Sequence, residues 1–189
     1  MTNLFYEPFP DSIEADGERY GILTDFREWL RFHDMMADTE ADGHTKVRLM
    51  AGWLEEPPEI VTEGIVRGLT AFARADGGLF PARPGEDSEE PPHPPWFDFR
   101  VDACQIAGDF LRFYGIDLTD TKYLHWWKFC ALLSALPDDS MTMKRIAYRS
   151  ANLSDIKNPD ERRRIARIQR RIAIPYKMDD EMIGAIFSD

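Results

Sequence analysis

Large apolar side chains recur along most of this sequence at intervals of three and four, in runs cut short by proline and glycine. That rhythm restricts the chain to short helices, each burying one face. The clearest run is Tyr123, Trp126, Trp127, Cys130, Leu133 and Leu136, stopped by Pro137. An earlier run places Phe26, Trp29, Leu30, Phe32 or His33, and Met36 on a helix with Thr24 as its expected N-cap, ended by the acidic stretch Asp38–Gly43. Val47, Met50 and Leu54 follow up to Pro57-Pro58, and Ile60, Ile65, Leu69 and Phe72 lie on a helix expected from near Pro58 to Gly77-Gly78. Further on, Val101, Ile106, Phe110, Phe113 and Tyr114 mark a helix with Asp98 as its expected N-cap and Gly115 as its terminator. A short helix is expected over residues 138–149, Pro159 opens an arginine-rich one, and residues 176–189 form a last amphipathic stretch.

One segment departs from the helical rhythm. Ser12–Ala15 and Glu18–Ile22 alternate apolar and polar around Asp16-Gly17, a dipeptide that favours the tight turn of a β-hairpin. An isolated hairpin is marginal in water, so this one is expected to pack on a helix. The fold expected is therefore mainly α (α-dominated α+β): an N-terminal β-hairpin followed by about seven helices. Residues 81–95, PARPGEDSEEPPHPP, lack apolar periodicity and read as a linker or loop. They divide a hairpin and acidic helical region at 1–80 from a helical region at 96–175 and a tail at 176–189, all within a length that one compact domain can also accommodate.

Charge narrows the partners. The net charge is −11, and it is unevenly placed: residues 1–98 hold 21 acidic and 8 basic side chains, residues 99–189 hold 13 and 15. The excess disfavours generic binding to nucleic acid or anionic lipid, while the two halves are complementary and open a route to homo-oligomers. No window nears the roughly 18 apolar residues of a membrane span. MTNLFYEPFPDS lacks a basic region and a long apolar stretch, so no signal peptide is read and the cytoplasm is expected. Cys104 and Cys130, each in an apolar helical pattern, are expected as buried free thiols.

Little in the sequence points to bond chemistry. His33, His44, His93 and His125 show no HxxxH or HExxH spacing, and no GxSxG, P-loop or GxGxxG motif occurs. Asp138-Asp139 and Asp179-Asp180-Glu181 are adjacent, which points neighbouring carboxylates about 100° apart on a helix; the first pair is expected at a helix start, the second on a solvated face. His125 lies five positions before Cys130, a spacing that does not align the two on a helix. No catalytic residue, cofactor or metal is therefore expected.

Binding is better served. Trp126 and Trp127 cannot point the same way on one helix; either Trp127 anchors the core while Trp126 covers a neighbouring element, or one of them faces a partner. Arg163, Arg167 and Arg170, with Arg162, Arg164 and Arg171, surround Ile165, Ile168 and Ile172 on a helix that suits protein contact or a solvated balancing face. Without interleaved aromatics it suits nucleic acid less. Met178, Met182 and Ile186 line up on the C-terminal tail, an adaptable stripe for its own core or for a partner.

The runs Phe99–Ala103 and Phe110–Leu118 (FLRFYGIDL) continue with Leu124–Phe129 (LHWWKF), Ala131-Leu132-Leu133, Ile146–Arg149, Leu153–Lys157 and the arginine run ending Ala173-Ile174-Pro175. Together with Leu23–Trp29 they resemble the bacteriophage "gene product fifteen" family of tailed phages and prophages, over roughly residues 4–175. The resemblance implies a gene placed between those of the tail-tube and tape-measure proteins, and hence a non-enzymatic tail assembly chaperone of a siphovirus acting in the bacterial host cytoplasm. Its implied partners are the tape-measure protein and tail-tube subunits of the same phage. A structural tail completion or connector protein of the virion is the alternative, followed by a DNA-binding regulator using the arginine-rich helix. The family supplies no catalytic residues.

Overall fold

The structure, a computed structural model, describes residues 6–75 and 96–175. The 81–95 linker and the 176–189 tail fall outside them, as does the expected helix end at Gly77-Gly78. The described residues form a two-stranded antiparallel sheet, seven α-helices and two short 3-10 turns, so the mainly α expectation holds.

Strands β1 (Ser12–Ala15) and β2 (Glu18–Gly21) pair with Ile13 opposite Tyr20. Their turn needs positive φ at both central residues, which Asp16 (+54°) and Gly17 (+83°) supply. Ile13 and Ala15 are buried, and β1 packs on α3 (Glu63–Ala73) as the hairpin's marginal stability demands. The backbone after β2 then finds partners far along the chain. Glu55 N–H donates to Gly21 O (2.9 Å), Leu23 N–H to Trp53 O (3.0 Å), and Phe26 N–H to Leu124 O (2.8 Å), while Trp126 N–H donates back to Thr24 O (2.8 Å).

Helix α1 (Phe26–Ala37) starts one residue later than Thr24 predicts: Asp25 is its N-cap, accepting from Arg27 N–H. The Asp25 carboxylate also accepts from Leu124 N–H (3.3 Å), while the Thr24 hydroxyl is engaged with the Tyr123 hydroxyl (2.8 Å). Helix α2 (Gly43–Met50) runs into a 3-10 turn at Ala51–Trp53. Helix α3 begins at Glu63, not near Pro58, because Thr62 caps it, and Ile60 is left 75% exposed before it.

Helix α4 (Ala103–Tyr114) has Asp102 at its cap position. Asp98 instead closes the preceding turn by accepting from Arg100 and Val101 N–H. Gly115 ends α4 in the left-handed region at φ +65°. Helices α5 (Trp126–Ser134), α6 (Met141–Ser150) and α7 (Pro159–Ile172) follow. Ser140, rather than Asp138 or Asp139, caps α6, and Asn158 with Pro159 at the first turn starts α7.

The chain divides into two compact units that cut across the expected 1–80 and 96–175 regions. One comprises Met1–Pro81 with Asp120–Ala135, the other Ala82–Thr119 with Leu136–Asp189. Helix α5 belongs to the first because its aromatic residues complete that core: Phe129 stacks on Phe26 (5.0 Å between centroids) and Trp127 meets Phe72 (5.6 Å). In the second unit α4 packs on α6, and α6 on α7.

Candidate functional site

The LHWWKF run lies inside the first unit. Leu124 and His125 enter α5, and His125 is its N-cap: Nδ1 accepts from Trp127 N–H at 3.1 Å. With Nδ1 accepting, the proton sits on Nε2, which faces Pro10 O at 3.0 Å while the ring stacks on Phe9 at 4.8 Å. Burial holds the His125 pKa below the ordinary value. Trp126 is 0% and Trp127 8% exposed, and their indole N–H groups donate to Ala73 O (3.0 Å) and Phe72 O (3.1 Å), the last carbonyls of α3. Both tryptophans are thus core residues, and neither ring faces outward. Their divergence on the helix is accommodated because α5 has neighbours on more than one side: Trp126 also meets His33 and Phe129, Trp127 meets Phe72.

Helix α7 places its candidates differently. Taking about 100° per residue, Arg163, Arg167 and Arg170 share one line, with Arg164 and Arg171 beside it; all are exposed. The half-buried Ile165, Ile168 and Ile172 lie on the other side, where α6 packs. Gln169 secures the helix by donating from Nε2 to Tyr148 O (2.9 Å) and Ala151 O (2.8 Å), carbonyls at the end of α6. Asp160 pairs with Arg163 (2.6 Å) and Glu161 with Arg164 (3.5 Å). Among the described residues Arg162, Arg167, Arg170 and Arg171 meet no carboxylate. Met178, Met182 and Ile186 lie outside the described residues.

A polar cluster that sequence reasoning missed holds the second unit together. Asp102 is 1% exposed, and Arg149 grips it bidentately at 2.6 and 2.9 Å. The same guanidinium donates to Trp96 O (3.0 Å) and Ile172 O (2.7 Å), so one side chain joins the segment before α4 to the end of α7. Arg145 adds a second cation 3.2 Å from Asp102 and also bonds Gln105. Nearby in sequence to Gln105, Asp109 (2% exposed) accepts from Met141 N–H (3.1 Å) and Thr142 N–H (2.7 Å), placing an anion at the α6 N-terminus. The only sequence signal for the Asp102–Arg149 pair is that both residues sit in apolar helical runs, 47 positions apart.

Reactive groups are differently distributed than expected. Cys130 is buried and its thiol is pushed up in pKa by desolvation, which keeps it protonated. Cys104 is exposed on α4, against the expectation of burial, because it faces away from the Ile106–Phe110 side of that helix. Among the described residues no group of three His, Cys, Asp or Glu is placed to hold a metal, and no helix is long and apolar enough to cross a membrane.

The fold defines a small, mainly α-helical protein of short helices, with an exposed arginine face on α7. Over residues 5–174 the chain matches the family described as Bacteriophage Gp15 protein. It belongs to that family and is a bacteriophage protein. No curated protein and no solved structure matches it.

Proposed function

We propose that this protein is a tail assembly chaperone, acting without catalysis in the host cytoplasm by binding the tape-measure protein, tail-tube subunits or both. The observation that carries the reading is an exposed set of large apolar side chains on a strongly charged chain: Met36, Leu49, Ile60, Leu111, Tyr123 and Met141. A holding protein needs apolar footholds for a long client helix and enough charge to keep the pair in solution. Family membership supports the phage setting, and the resemblance noted above supplies the tail.

The test is co-expression with the long coiled protein encoded beside it, followed by pull-down. Retention of that protein, and its precipitation when this chain is left out, supports the reading. Mass spectrometry of purified virions separates it from the alternative: a chaperone is absent from the particle, a completion or connector protein present.

A further inference from the structure

We propose that the arginine face of α7 is a docking site for a second copy of this chain, and that it receives the acidic strap Glu55–Ile60. Two independent features fit each other. The first is the α7 face itself. Ala166, half-buried, carries only a methyl group between the long side chains of Arg162, Arg163 and Arg170, its neighbours at three and four positions. Arg163 and Arg170 stand about 10.5 Å apart along the axis. Ion pairing within the helix reaches only its first turn, through Asp160 and Glu161, and leaves Arg162, Arg167, Arg170 and Arg171 without carboxylates among the described residues. The face is rigidly presented, because Gln169 and Arg149 tie α7 to α6 and to Trp96.

The second feature is the strap. No lysine or arginine occurs between Arg48 and Arg67. Glu55, Glu56 and Glu59 are exposed and pair with no cation among the described residues. Ile60, beside them, is 75% exposed, an apolar knob rimmed by carboxylates. Pro57 and Pro58 restrict the backbone, the Glu55 N–H···Gly21 O bond holds one end, and the Thr62 cap of α3 holds the other. A segment so restrained loses little conformational freedom on docking. Glu56 and Glu59 span at most about 10 Å of extended chain, which matches the Arg163–Arg170 separation. Ile60 then packs over the Ala166 methyl against the arginine stems, which are themselves apolar.

The contact joins different surfaces of two identical chains, so it is heterologous and propagates copies head to tail unless the rotation closes a ring. It works against the mutual repulsion of two chains of charge −11, and salt decides which effect dominates. Local pairing is weakened by salt, whereas general repulsion is relieved by it.

The experiment is sedimentation velocity of the full chain from about 10 μM to about 1 mM, the range of weak contacts, in low and high salt. Concentration-dependent association that fades with salt supports the proposal. So does a charge swap: R163E/R167E/R170E alone and E56K/E59K alone each weaken association roughly tenfold or more, while mixing the two restores it, because each variant then presents the complement of the other. Circular dichroism of each variant confirms that its helices are retained. A chain monomeric at every concentration and salt overturns the proposal, as does association that survives both charge reversals. Low-salt binding of labelled duplex DNA that is lost in R163E/R167E/R170E likewise overturns it, by assigning the face to nucleic acid.

Discussion

Replacing Arg149 by methionine isolates what holds the second unit together. The guanidinium makes two bonds to Asp102 and one each to Trp96 O and Ile172 O, and its side chain is only 5% exposed. Methionine fills much of the volume but leaves a carboxylate 1% exposed without its main counter-ion. Stranding one partner of a buried ion pair costs about 3–5 kcal/mol. Arg145, 3.2 Å from the same carboxylate, offsets part of this, so a value near the lower end, about 3 kcal/mol, is expected. Against a total stability of about 5–15 kcal/mol that is a large loss. With a urea slope of about 2 kcal/mol/M, the midpoint falls by about 1.5 M. Urea unfolding followed by circular dichroism measures it, and amide exchange should place the lost protection in α6 and α7. The double variant D102N/R149M removes the stranded charge and should be no less stable than R149M alone, giving a clearly non-additive cycle. An R149M loss under about 1 kcal/mol, or strict additivity, would refute the reasoning.

Three further outcomes follow from other parts of the molecule. An alanine at Gly68 would put its Cβ 2.9 Å from Ile13 Cδ1 and 3.2 Å from Ile13 Cβ, forcing β1 off α3, so G68A should lose about 1–3 kcal/mol in thermal or urea unfolding. His125 has a folded pKa below its ordinary value of 6.5, so its stabilising contribution is present above that pH and is lost as pH falls beneath it. H125N, which keeps a capping side chain but cannot titrate, should therefore show a shallower loss of urea midpoint between pH 7.5 and 5.5 than the parent, and equal slopes would count against the cap. Iodoacetamide should label Cys104 in the native protein and reach Cys130 only in denaturant, read by peptide mass spectrometry; prompt labelling of both would contradict the buried, protonated thiol.

What could be read from the residues was local chemistry. Asp16-Gly17 names its own turn, Gly115 its left-handed stop, and Pro159 its helix start, because each rests on φ preferences that need no distant partner. Errors begin where a competing local group wins, as Asp25 over Thr24 or Thr62 over Pro58. Two buried tryptophans on adjacent positions were not legible, since helical periodicity assumes one buried face and α5 has neighbours on several. The Asp102–Arg149 cluster was hidden for another reason: each residue looks like an ordinary polar position, and only tertiary packing brings them together. The arginine face of α7 was legible as a pattern, but that no carboxylate among the described residues pairs with it beyond the first turn depends on tertiary placement.

The placement of α5 in the first unit also sets a schedule. A ribosome delivers residues 1–81 well before it reaches Ala135, and at about 5–20 residues per second the gap is roughly 3–10 s. Throughout that interval Phe26 and Phe72 lack the rings that cover them, and the backbone of Thr24 and Phe26 lacks its partners at 124–126. The hairpin and first helices are therefore born as an incomplete nucleus with an open aromatic seam, which closes only when a late helix threads back to it.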